Sequence, residues 1–290
     1  MSDHDADSRE RKQRVTAVFN RVAPGYDKEA LRFFPFCADR LIARLAPARG
    51  AKVLDVATGT GAAAIAAAQA VGPSGRVMGI DLAEQMLERA QRNAEKMRLA
   101  NVDLHVMDAE TLEFRDGYFD VVVCCFGLFF LTDMLAGLKE WRRVVKPGGT
   151  VAFTSFGAQA FQPMLGLFRA RMESYGMPFT AAADRLADPE RCRALLSDAG
   201  LQDVTVNVEP LGYHLQCVDE WWDVVWNSGL RGMVEQLAPA RQARFKSEHL
   251  AEVGALFSAQ GLWLNVETVF SVGRRPAAPQ GGFVPPLVRG

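Results

Sequence analysis

Short apolar runs alternate with segments of helical periodicity over much of the chain. Residues 51–56 form an apolar run that ends in the turn Thr58-Gly59-Thr60-Gly61. An alanine-rich helix is predicted over 62–71, stopped by Gly72-Pro73. A second strand over 75–80 ends at Asp81. Met86, Leu87, Ala90 and Ala94 then recur at helical spacing within 83–97. Residues 102–107 alternate as a third strand ending at Asp108. Residues 119–125 are apolar almost throughout, as in a strand covered on both faces. A helix over 132–145 stops at Lys146-Pro147-Gly148-Gly149, read as a turn, and a fifth strand follows over 150–155.

After Phe156 the alternation pauses through a looser stretch, 158–186. It resumes at Asp188-Pro189, a good N-cap followed by a good first helical residue. A sixth strand is expected over 204–208 and a last one over 264–272. Between them lies a second excursion, 211–261, with Trp221, Trp222 and Trp226. Residues 1–14 read as a charged, frayed or loosely helical lead-in. Residues 15–45 read as helical pieces broken at Pro24-Gly25 and Pro35. Strand–helix alternation with short turns predicts an α/β fold: a Rossmann-like, doubly wound, mostly parallel sheet. The expected organisation is a single domain over 1–275. Its core is 46–157, 187–210 and 262–275, and a helical cap is drawn from 15–45, 158–186 and 211–261. A Pro- and Gly-rich tail covers 276–290.

Composition narrows this further. The 290 residues carry 33 basic and 34 acidic side chains. That balance leaves no basic footprint for nucleic acid. The longest apolar run, 121–131, is far shorter than the roughly 20 residues of a membrane helix. The polar N-terminus has no signal-peptide pattern, so a cytoplasmic protein is expected. Cys37, Cys124, Cys125, Cys192 and Cys217 are too scattered for a four-ligand zinc site, and no metal is expected.

Chemistry concentrates at three acids near the ends of consecutive strands: Asp55, Asp81 and Asp108. That edge of an open parallel sheet is where ligands bind. Gly59-x-Gly61-x-x-Ala64 fits a dinucleotide-type turn, and Asp81 has the offset of an acid that holds a ribose diol. Asp55 discriminates among cofactors. A pyrophosphate against this turn would face a carboxylate, at a penalty of a few kcal/mol for an effective dielectric of about 20. A cationic, phosphate-free ligand is favoured. S-adenosylmethionine meets that requirement, with its ammonium toward Asp55, its diol on Asp81 and its adenine amine on Asp108. A dehydrogenase is correspondingly disfavoured.

Asp55-Val-Ala-Thr-Gly-Thr-Gly61, Asp81-Leu-Ala-Glu-Gln-Met86, Asp108-Ala-Glu-Thr-Leu-Glu-Phe114, 119–125 and Lys146-Pro-Gly-Gly149 resemble the ordered motifs of class I S-adenosylmethionine-dependent methyltransferases. The resemblance implies a seven-stranded sheet whose last strand is antiparallel. Phe19-Asn-Arg-Val-Ala-Pro-Gly-Tyr26-Asp27 is similar to the segment before the core in ubiquinone/menaquinone biosynthesis C-methyltransferases, where the Tyr folds over the cofactor. Those enzymes carry Arg-Asn where this chain has Phe129-Phe130, and they lack the 211–261 excursion. The cofactor site therefore carries over and the quinone substrate does not.

The expected cofactor residues are Tyr26, Asp55, Ala57, Thr58, Gly59, Gly61, Asp81, Leu82, Met86, Asp108, Ala109, Cys125 and Phe126. Phe33, Phe36, Phe129, Trp222 and Trp226 are candidates for the wall of an acceptor site, with plain core packing as the competing reading. His214 and His249 are the candidate bases. His4 lies in the lead-in and His105 within the third strand. The expected reaction is in-line methyl transfer from S-adenosylmethionine to a small apolar or aromatic acceptor. A protein or RNA methyltransferase is the runner-up, and a non-catalytic S-adenosylmethionine-binding protein the alternative of another class. A homodimer through the aromatic cap competes with a lid role for those residues.

Overall fold

The computed structural model describes residues 3–277. The helices and strands follow in order: α1 (Asp3–Val22), α2 (Phe33–Leu45), β1 (Lys52–Val56), α3 (Ala62–Val71), β2 (Arg76–Asp81), α4 (Glu84–Lys96), β3 (Val102–Val106), β4 (Phe119–Cys125), α5 (Met134–Val144) and β5 (Val145–Phe156). Then come α6 (Met164–Ser174), α7 (Pro189–Asp198), β6 (Gln202–Glu209), β7 (Gly212–Leu215), α8 (Val218–Trp226), α9 (Arg231–Val234), α10 (Pro239–Gly254), β8 (Leu262–Asn265) and β9 (Thr268–Arg274).

Seven strands form one sheet in the order β3-β2-β1-β4-β5-β9-β6. β9 runs antiparallel to both β5 and β6, and the pairs from β3 to β5 are parallel. Val53, Leu54 and Val56 of β1 and Val121–Cys124 of β4 are buried because helices cover both faces. Alanines bring α3 close to the sheet, with Ala63, Ala64, Ala67 and Ala68 buried beside Leu41 and Ile42 of α2. Asp133 caps α5 by accepting from the Ala136 N–H at 2.9 Å, and Asp188 caps α7 by accepting from Glu190 N–H at 3.0 Å.

The sheet order reverses between β1 and β4, so a crevice opens beyond their C-terminal ends. The chain leaves both strands through left-handed, non-glycine residues, Ala57 (φ 53°) and Phe126 (φ 55°). Such backbone persists only where surroundings over-determine it, and it clusters at functional sites. Over this edge sits a second apolar cluster. Phe33, Phe161, Met164, Phe168, Trp221 and Phe245 are among its buried members, drawn from α2 and from both excursions.

Several expectations are corrected. The lead-in belongs to one continuous helix to Val22 rather than a frayed segment. Pro35 does not break a helix; it lies in the first turn of α2, where no intrahelical N–H bond is lost. Lys146–Gly149 is not a separate turn but an irregular start to β5, where the register with β4 shifts. The run 264–272 divides in two, because β8 pairs with β7 in a separate two-stranded sheet and only β9 enters the main sheet. The expected tail lies, beyond Ala277, outside the described residues.

Gly61 precedes α3 at φ 88°, and a Cβ there would stand 3.1 Å from Ala90 Cβ of α4. Gly61→Val therefore adds backbone strain to a collision. Urea denaturation should show a loss of about 2–4 kcal/mol; an unchanged midpoint contradicts this packing.

Candidate active site

The three strand-end acids differ in what surrounds them. Asp55 lies within β1 and is 1% exposed. Its Oδ2 accepts from Thr58 Oγ1 at 2.6 Å, while Oδ1 has no partner. Burial pushes its pKa up to about 7, and repulsion from Asp81 adds to this; the Thr58 hydroxyl opposes it. Asp81 ends β2. Its Oδ2 accepts from Gly59 N–H and its Oδ1 from Ala83 N–H, each at 2.9 Å. Burial raises its pKa, and the Ala83, Gly59 and Leu82 N–H groups hold it down. Asp108 follows β3. Its Oδ1 accepts from Glu110 N–H at 2.9 Å and its Oδ2 from Lys12 Nζ at 2.7 Å. Lys12 also reaches Glu110 at 2.5 Å.

Asp81, Asp108, Glu110 and Lys12 border a cleft of about 780 Å³, its open mouth included. Of the expected cofactor residues, Tyr26, Ala57, Gly59, Asp81, Leu82, Met86, Asp108, Ala109, Cys125 and Phe126 line it. Asp55, Thr58 and Gly61 do not. Asp55 and Thr58 lie beneath the turn, bonded to each other, and Gly61 is turned toward α4. A Cβ at Gly59 would meet nothing within 4 Å, so this glycine leaves the cleft floor open. Asp81, Asp108 and Glu110 are the acids on the lining, against a single cation, Lys12. The cleft thus favours a ligand with cationic and hydrogen-donating groups over an anion. The unpartnered Asp55 oxygen and the open face at Gly59 fit S-adenosylmethionine. Burial pushes the Cys125 thiol well above its ordinary pKa, so it stays neutral.

A larger cavity of about 2180 Å³, also counted with its mouth, adjoins the cleft. The two share Val15, Phe19, Tyr26, Phe126 and Phe130. Tyr26 stacks on Phe34 at 4.7 Å, and Phe34 meets Phe126 edge-on at 5.6 Å. Phe33 and Phe129 line this cavity as expected.

Other candidates fall elsewhere. Phe36 is 53% exposed and lines neither cavity, because α2 turns Phe33, Cys37 and Leu41 inward. Trp222 and Trp226 also line neither. They stack on each other at 5.8 Å beneath Lys246 and Arg231, and Trp222 is buried with Trp221, Val224 and Val225 in the cluster of the excursions, with Trp226 packed against it, as the core-packing reading has it. His214 is in β7 of the small β7–β8 sheet, edge-on to Trp263 at 5.0 Å. His249 is fully buried away from both cavities. Its Nε2 accepts from Trp221 Nε1–H at 2.8 Å, and burial drives its pKa down to about 4. Neither histidine is placed to act as the base.

The sequence reading missed α1 as a wall. Lys12, Thr16 and Phe19 face the cleft, and Val15 borders both cavities. The spacing of Val15, Val18, Phe19 and Val22 carried that signal, but the charged residues before it masked the helix. Phe34, weighed with Phe33 and Phe36 as wall or core, lines the larger cavity, whereas Phe130, Phe156 and Phe161 of its lining were missed.

Comparison with known proteins agrees with this geometry. The model of the ubiE/COQ5 methyltransferase family matches residues 7–214, well over half the chain. Aklanonic acid methyltransferase of Streptomyces sp. (strain C5) is 39% identical over 144 residues, covering 50% of this chain and 66% of that protein. Demethylmenaquinone methyltransferase of Staphylococcus aureus is 37% identical over 174 residues, covering 59% of this chain and 70% of that protein. The alignment thus stops just short of two thirds of the first relative. The fold is shared with the YcgJ protein of Bacillus subtilis at a TM-score of 0.57 and 20% identity, over 84% of this chain and 100% of that one.

Asp55 sets a pH dependence on the ligand-free protein. Its folded pKa of about 7 lies above the unfolded value, about 3.9. Its contribution is therefore full below about pH 4 and is lost as pH rises through about 7. Between pH 5 and 8 the ligand-free protein should lose about 1–3 kcal/mol in denaturant titrations, and Asp55→Asn should lose much less. Equal slopes for the two proteins contradict the buried carboxyl.

Proposed function

The chain belongs to the ubiE/COQ5 methyltransferase family, and on that premise we propose that it transfers a methyl group from S-adenosylmethionine to a small aromatic or apolar acceptor seated in the larger cavity. The observation that carries this reading is the junction of an acid-lined cleft with a phenylalanine-lined cavity at Phe19, Tyr26, Phe126 and Phe130. Bound S-adenosylmethionine supplies an electrophilic methyl on a sulfonium.

The chain's own residues bind, align and exclude water. Asp81, already fixed by two backbone N–H groups, presents its remaining lone pairs to the ribose diol. Asp108 accepts from the adenine amine alongside Lys12. Asp55 acts from beneath the turn, where its buried charge favours the cofactor's ammonium. Leu82, Met86 and Ala109 offer apolar contact to the base. Gly59 keeps the floor clear for the methionine portion.

Tyr26 and its phenylalanine neighbours keep the junction dry and hold the acceptor in line, with its nucleophilic atom about 3 Å from the methyl carbon. A dry site also strengthens the attraction between the acids and a cation. The two relatives are named for aklanonic acid and demethylmenaquinone, and an acceptor of small-molecule size suits a cavity walled by aromatic rings. With no histidine at the junction among the described residues, alignment supplies most of the rate, and an acidic acceptor hydroxyl loses its proton to solvent.

Asp81→Ala should weaken S-adenosylhomocysteine binding by about 1.5–3 kcal/mol in calorimetry, the scale of hydrogen bonds to a charged group. Gly59→Val should weaken it further. Unchanged affinity in Asp81→Ala would remove the acid from the ribose.

A further inference from the structure

The larger cavity is not uniformly apolar. Arg11, Arg14 and Arg21 lie on one stripe of α1, with Val18 between them, and all four line it. Arg169 of α6 lines it from another side. Among the described residues, four arginines and one carboxylate, that of Asp184, therefore lie on this lining. Some of their donors are engaged. Arg14 reaches Glu10 at 2.9 Å and Arg21 reaches Glu235 at 2.8 Å, both acids outside the lining. Arg169 uses Nη2 alone for Asp184, at 2.7 and 2.8 Å, and its Nε is buried without a partner.

None of these arginines lines the cofactor cleft, and the residues shared by the two cavities are all apolar apart from the Tyr26 hydroxyl. Charge and methyl transfer are thus spatially separated. We propose that the acceptor is an aromatic acid, its ring body among the phenylalanines and its carboxylate anchored by Arg169 and the Arg11–Arg14 stripe. The anchored acid is not the group that is methylated.

The methyl-accepting atom lies at the opposite end of the ring system, where Tyr26, Phe126 and Phe130 meet the cleft. For a ring hydroxyl, the O–CH3 bond forms as the cofactor's S–CH3 bond breaks. The bonding electrons leave on sulfur and the hydroxyl proton goes to solvent. A guanidinium fork suits a carboxylate through paired donors, and partial burial strengthens the bond beyond its value in water.

This inference rests on the methyltransferase reading, so the test separates the two. The intact chain is first titrated with S-adenosylhomocysteine; failure to bind it counts against that reading itself. The complex is then titrated by fluorescence with 6-hydroxy-2-naphthoate and with 6-hydroxy-2-naphthamide, which differ only in charge at the end remote from the hydroxyl. The naphthoate should bind about tenfold tighter, and added salt should erode the difference. Arg169→Gln and Arg11→Gln should each shrink the preference, Arg169→Lys should keep part of it, and S-adenosylhomocysteine affinity should hold in all three. Equal binding of the two ligands, binding of neither, or a preference untouched by both glutamine variants overturns the proposal. In turnover with the naphthoate, the product should be a base-stable methyl ether with a free carboxyl. A base-labile methyl ester overturns the assignment of the acid as anchor.

Discussion

A carboxylate with an unpartnered oxygen, sealed beneath a glycine turn, constrains the rest of this site. Asp55 is held in β1 by the pairing of that strand with β2 and β4, and Thr58 satisfies only one of its oxygens. Desolvation makes its ionised form costly until a positive charge arrives. A phosphate-bearing ligand would deepen that cost, and a cationic one relieves it. Asp81 and Asp108 extend the same preference along the sheet edge. The left-handed turns at Ala57 and Phe126 bring the chain out of β1 and β4 so that the crevice opens directly above.

Helix α1 gives the site its second dimension. One stripe, through Lys12, Thr16 and Phe19, closes the cleft and meets Asp108 and Glu110. A neighbouring stripe, through Arg11, Arg14, Val18 and Arg21, faces the larger cavity. A single helix thereby serves two compartments of opposite electrostatic character. The excursion helices complete the larger compartment, held by the cluster around Phe161, Phe168, Trp221 and Phe245. The family match ends at residue 214, so α8, α9 and α10 lie beyond it, and with them Val224, Leu230 and Met233 of the cavity wall. The wall of the larger cavity is thus built in part from residues that the family pattern does not reach.

The sheet and the acid-lined cleft were legible because their signals are local. A short apolar run, a glycine turn and an acid at a fixed offset determine backbone geometry within a few residues. Asp81 and Gly59 needed no knowledge of distant packing. The acceptor wall was less legible because it depends on how amphipathic helices rotate. Trp222 and Trp226 share a helix face, as their spacing requires, and tertiary packing sets that face against the cluster of the excursions rather than toward either cavity. Phe36 lost to Phe33 by the same rotation within α2. The run 264–272 concealed a change of sheet between β8 and β9, which apolar character alone does not mark. Lys12 was hidden in a polar stretch whose helicity is stabilised by contacts far away in sequence.

The central claim is that this sheet edge selects a phosphate-free nucleoside carrying an ammonium group rather than a dinucleotide. Isothermal calorimetry of the chain against S-adenosylhomocysteine and against NAD, in one buffer near pH 8, tests it directly. The account predicts saturable one-to-one binding of S-adenosylhomocysteine and no heat of binding with NAD. Saturable NAD binding with no response to S-adenosylhomocysteine would contradict it.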